Sequence, residues 1–125
     1  MALSLAFAAA QPVAEPPVDH EIEVIANKLR TWRGNWKLSK GAVTCKTKRS
    51  TGDKAIDAIG CDAMVQCIAP IAPQFVALGE QKLPKDEMNQ RANALVEEAG
   101  IGDCIFSRRE AGISSLAAAR RSKRT

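Results

Sequence analysis

The chain has 125 residues, 46% of them hydrophobic and 26% charged, which fits one soluble globular domain and leaves no length for a second. Aromatics are few (Phe7, Trp32, Trp36, Phe75 and Phe106, with no tyrosine), so the core must be built mainly from Ala, Ile, Val, Leu and Met, and a core that thin gains from cross-links. The formal charge of +4 is unevenly spread: residues 27–54 hold nine cations (Lys28, Arg30, Arg33, Lys37, Lys40, Lys46, Lys48, Arg49 and Lys54) against one acid, Asp53.

Residues 1–10 are apolar from Ala2 to Ala10 apart from one serine. That length suits the apolar region of a signal peptide, and Ala8-Ala9-Ala10 offers a small-residue cleavage site, although no cation precedes the run. The same residues also read as an apolar N-terminal helix kept in the fold. No later stretch reads as a membrane span. Residues 11–20 contain three prolines and read as a tether or an ordered arm, residues 21–119 as the globular domain, and residues 120–125 as a frayed basic tail.

In "EIEVIANKL", Ile22, Val24 and Ala26 alternate with Glu21, Glu23 and Ile25, which predicts a strand. "NWKLSKGAVTCKTK" alternates again around Lys40-Gly41, a site for a tight turn, which predicts a hairpin. Its Val43, Cys45 and Thr47 share one face, and Lys46 and Lys48 share the other. "STGD" then supplies helix-capping residues, and Ile56, Ile59, Ala63, Cys67 and Ile71 recur at helical spacing. Pro70 and Pro73 end or kink that helix near Ala69. "QFVALGEQ" restarts a turn or two. "PKDEMNQRANALVEEAG" reads as a helix with Pro84 near its first turn, a stripe of Met88, Ala92, Leu95 and Val96, and Gly100 at its C-terminal cap. A last helix, with Asp103 as a possible cap, buries Phe106, Ile113, Leu116 and Ala117. The expected fold is therefore α+β: a basic hairpin, with or without a third strand, packed on three to four helices.

Cys45, Cys61, Cys67 and Cys104 show neither the close pairs of a zinc site nor the C-x-x-C of a redox site. The single histidine, His20, gives a catalytic cysteine no base within the predicted domain. An even count in a short chain with an export-like start implies two disulfides. Cys61 and Cys67 point about 120° apart on one helix and sit about 9 Å apart along its axis, so they do not pair with each other. Cys45 ends the strand feeding that helix, which gives Cys45–Cys61 and leaves Cys67–Cys104. A four-cysteine zinc site or four reduced cysteines remain the other readings, and no metal or cofactor is expected.

Trp32 and Trp36 lie among the cations. With Lys37, Lys46, Lys48, Arg49 and Lys54 they mark a candidate surface for an anionic envelope component or a protein partner. The other reading is a solvated lysine face over tryptophans that belong to the core. Export argues against nucleic acid. Catalytic signatures are missing: "GISSLA" is not G-x-S-x-G, and "STGDK" is not a phosphate-binding loop. Asp53 and Asp57, one helical turn apart, can share a face and are the candidate carboxylate pair for acid–base work. The expected function is non-enzymatic.

From the tether to the last cysteine, with W-R-G before the hairpin, T-C-x-T, S-T-G-D and I-G-C-D-A-M, the chain resembles small exported proteins of Gram-negative bacteria. That resemblance implies a periplasmic or secreted address and no particular activity. "EIEVIAN" after a proline-rich segment also resembles the short strand by which outer-membrane receptors engage an energising partner. It implies an adaptor in which residues 21–26 pair with another protein's sheet.

Overall fold

The computed structural model describes residues 17–124; residues 1–10, read as a signal-like segment, and residues 11–16 of the tether lie outside the described part. The elements run α1 (Pro17–Leu29), β1 (Arg33–Ser39), β2 (Ala42–Arg49), α2 (Lys54–Ile68), a short 3-10 turn (Ala69–Ile71), α3 (Ala72–Glu80), α4 (Lys85–Glu98) and α5 (Ile101–Arg124). This is an α+β fold, a two-stranded antiparallel sheet packed on helices.

The predicted strand at residues 21–26 is a correction: these residues lie inside α1. Alternation would have buried Val24, yet Val24 is 37% exposed while Ile25 is fully buried and Leu29 nearly so. Ile22, Ile25, Ala26 and Leu29 recur every three or four residues, and that longer period won once Ile25 and Leu29 found the core. The sheet therefore has two strands, and the segment offered for strand pairing has its backbone groups committed to a helix. Helix α1 also takes in residues 17–20 of the expected tether.

The hairpin closes at Lys40-Gly41, where φ is +53° and +81°. Positive φ at both turn residues matches the right-handed twist of the strands, and glycine supplies one of them without strain. Register pairs Trp36 with Cys45 and Leu38 with Val43, and a bulge between Arg33 and Gly34 leaves Lys48 as the extra residue on β2.

Helix α2 is the axis. Asp53 caps its N-terminus by accepting from the Ala55 and Ile56 N–H groups. Pro70 and Pro73 bend the path after Ile68. The run Lys54–Glu80 is long and apolar enough to cross a membrane on length and composition, which amends the expectation that no such stretch exists. About 39% of its 18-residue apolar stretch is buried inside the protein. Ile56 and Ile59 join Ile25, Leu29, Trp32, Ile113 and Ala117 in one cluster, while Cys67 and Ile68 join Ile101, Trp36, Val43 and Phe75 in a second.

The disulfides form as the helix geometry required: Cys45–Cys61 with Cα atoms 5.5 Å apart, and Cys67–Cys104 with 5.9 Å. All four sulfurs are consumed, so none is left to hold zinc. One bridge ties β2 to α2 beside the first cluster, and the other ties α2 to α5 inside the second.

Three smaller expectations change. Phe106 is 63% exposed, because the inward stripe of α5 runs through Ile101, Ile105, Ile113 and Ala117, one position away from it. The α4 stripe is only half-buried. Residues 120–124 are not a tail: α5 continues through them, and Arg120 pairs with Asp53 at 2.6 Å.

Trp32 is the tightest packing point. A Cβ on Gly60 would stand 2.6 Å from the indole, and one on Gly34 would overlap the ring outright. Gly60→Ala should therefore cost about 1–3 kcal/mol in urea denaturation through overpacking. Gly79→Ala, where nothing lies within 4 Å, should instead gain about 0.5 kcal/mol from helix propensity. The bridges close loops of 16 and 37 residues. Replacing each pair by serine should lower stability by about 3 and about 4 kcal/mol respectively in the same assay.

Candidate functional site

The hairpin has two chemically distinct faces. Burial alternates along both strands. Gly34, Trp36, Leu38, Val43, Cys45 and Thr47 turn toward the helices, while Asn35, Lys37, Thr44, Lys46 and Lys48 turn to solvent. Register places Lys46 opposite Asn35 and Lys37 opposite Thr44, so Lys37 and Lys46 are diagonal neighbours on the outer face. Lys48 stands at the bulge beside them, where an extra residue re-aims the strand. An open cleft of about 570 Å³ lies here, lined by Asn35, Lys37, Thr44, Lys46 and Lys48, with Trp36 and Cys45 completing it. Among the described residues no carboxylate forms an ion pair with these lysines. The face can attract anions.

The remaining candidates separate from it. Arg49 is exposed at the end of β2, and Lys54 is exposed at the first turn of α2, beyond the Ser50–Asp53 loop. Trp32 is a correction. It is 3% exposed, and its Nε1–H donates to Thr47 Oγ1 at 2.9 Å, so it offers nothing to a partner. Its indole is large and apolar with a single polar atom, and the inward hydroxyl of β2 satisfies that atom without exposing the ring. Trp36 is half-buried, with its ring 5.2 Å from Phe75 and tilted by 58°. The core reading of the tryptophans thus holds for Trp32 fully and for Trp36 in large part.

Asp53 and Asp57 are brought together and committed to structure. Asp53 caps α2 and binds Arg120, and the Arg120 hydrogen bond is the main reason its pKa lies below the ordinary 3.8. Asp57 accepts from the Ser50 hydroxyl, from the Thr51 N–H at 2.8 Å and from the Thr51 hydroxyl at 2.8 Å, and these bonds lower its pKa in turn. Carboxylates held ionised in this way are poor proton donors near neutrality. They hold the loop between β2 and α2. Among the described residues no group of three or more His, Cys, Asp or Glu side chains is placed to hold a metal ion.

Reasoning from the sequence missed Arg109. It stands one turn from Ile105 and one from Ile113 in the inward stripe of α5, and its guanidinium lies 5.4 Å from the Trp32 ring centroid. A cation at four-residue spacing between two isoleucines was the available signal.

No protein-family model, curated protein or solved structure matches this chain.

Asp53 and Asp57 have lower pKa values folded than unfolded. Their contribution to stability is complete above the unfolded value near 3.8 and is lost as pH falls through the folded values. The urea midpoint should therefore drop as pH is lowered below about 4, and Asp57→Asn should flatten that drop.

Proposed function

We propose that the protein is a non-enzymatic, disulfide-stapled component of the periplasm that docks on an anionic envelope surface through the outer face of its hairpin. The observation that carries this reading is the gathering of Lys37, Lys46 and Lys48 around one open cleft, with no acid paired to them among the described residues. A lysine-bearing sheet face rests on a rigid backing here, because Cys45 in the same strand is bonded to α2. Cations held on a fixed surface keep their charges facing one way, which favours a broad anionic partner over a small ligand.

The two disulfides are compatible with an oxidising, extracytoplasmic location. The periplasmic address adds to that the signal-like residues 1–10 and the resemblance to exported proteins of Gram-negative bacteria. Intact mass of the protein from its native host would report both cleavage near Ala10 and the hydrogens lost to two bridges.

Binding to vesicles containing phosphatidylglycerol tests the surface. Each lysine near an anionic membrane contributes about 1 kcal/mol, so Lys37→Gln, Lys46→Gln and Lys48→Gln together should weaken binding about 100-fold. Raising salt from about 0.05 M to about 0.5 M should also suppress it, since the screening length shrinks severalfold. Binding that ignores both the salt and the triple substitution would remove the reading.

A further inference from the structure

The open end of the hairpin carries a second cationic feature, built from arginines and independent of the lysine face. Arg33 and Arg49 face each other across the strand register, at the end opposite the Lys40-Gly41 turn. Arg33 is pinned: its Nη1 donates to the Arg30 carbonyl at 3.0 Å and to the Trp32 carbonyl at 2.8 Å. From α5, Arg109 lays its guanidinium over the ring of the same Trp32. Its Nε is buried, with no hydrogen-bond partner among the described residues. Burial lowers the Arg109 pKa from the ordinary arginine value, and the positive charge of Arg33 lowers it further, so the two groups feel one another. No carboxylate pairs with Arg33, Arg49 or Arg109 among the described residues.

Each of these features costs free energy. Like charges directly opposed across two strands repel. A buried guanidinium N–H without an acceptor forfeits the hydrogen bond it made in water. Aliphatic side chains at Arg109 and Arg49 would avoid both costs. An arginine fork laid over a buried indole, as Arg109 is over Trp32, is also arranged in advance for an oxyanion, because guanidinium geometry matches adjacent oxygens on one centre and stacking fixes its plane.

We propose that Arg33, Arg49 and Arg109 form a binding site for a phosphate group, either the free ion or the terminal phosphate of a lipid headgroup. The phosphate supplies the counter-charge the fold leaves out and accepts hydrogen bonds from the guanidinium groups.

The test follows the arginine Nε–Hε signals of the ¹⁵N-labelled full chain while inorganic phosphate replaces chloride at constant ionic strength. The Arg109 signal should shift and saturate. Arg33→Gln changes an exposed side chain and should keep the fold, as circular dichroism would verify, while weakening the apparent affinity about tenfold. Arg109→Lys keeps a cation and an aliphatic stem over Trp32 without the planar fork, and should weaken it by about the same factor, read from the Arg33 and Arg49 signals. Lys46→Gln should leave it within about twofold, because that residue belongs to the other face. A vesicle arm separates the sources. Preference for phosphatidic acid over phosphatidylglycerol at equal surface charge, lost in Arg33→Gln, assigns the lipid monoester. Saturation by inorganic phosphate without that preference assigns the free ion. A shift linear in phosphate with no vesicle preference, or a response unchanged in Arg33→Gln, overturns the site. Failure of the lysine substitutions to affect phosphatidylglycerol binding would leave this result untouched.

Discussion

The structure depends on two covalent ties that leave α2 in different directions. Six residues separate Cys61 from Cys67, so their side chains diverge by about 120° on a regular helix. One reaches the hairpin and the other reaches α5. A chain with few aromatics cannot bury enough surface to hold a two-stranded sheet firmly against helices, and an isolated hairpin is marginal in water. Sulfur supplies what the core lacks, once in each apolar cluster. Trp32 then acts as a spacer: its ring fills the gap that Gly34 and Gly60 leave open, and its one polar atom meets Thr47.

Much of this was legible in the residues. The hairpin was readable because alternation persists on both sides of a Lys-Gly pair. The disulfide pairing was readable because helix geometry disfavours the local bond and Cys45 ends the strand that feeds α2. Asp53 as a cap and Gly100 beyond α4 followed from local backbone chemistry, and Gly100 has φ of +65°. The failures share one cause. In residues 21–26 and around Phe106, short windows matched a period whose phase is set by distant partners. Five residues of alternation cannot compete with Ile25 and Leu29 once Ile113 and Ala117 are in place to receive them. The same limit hid the continuation of α5, since the sequence offered mostly charges there, and the carboxylate that Arg120 meets lies 67 residues away.

The cations sort into three physical roles that composition cannot separate. Lys37, Lys46 and Lys48 are solvated on the sheet. Arg120 is neutralised by Asp53. Arg109 lies over the Trp32 indole and Arg33 donates to the Trp32 carbonyl, with no acid of their own among the described residues. Net charge counts these alike, whereas exposure and partners separate them: the first are solvated, the second is paired within the fold and the third lack a carboxylate among the described residues.

The Arg120–Asp53 pair joins the last turns of the chain to the point where the central helix begins. Residues that look dispensable to anyone designing a shorter protein therefore belong to the domain. Trimming after residue 119 would strip the capping carboxylate of its Arg120 partner at the start of α2, beside the loop that carries the hairpin.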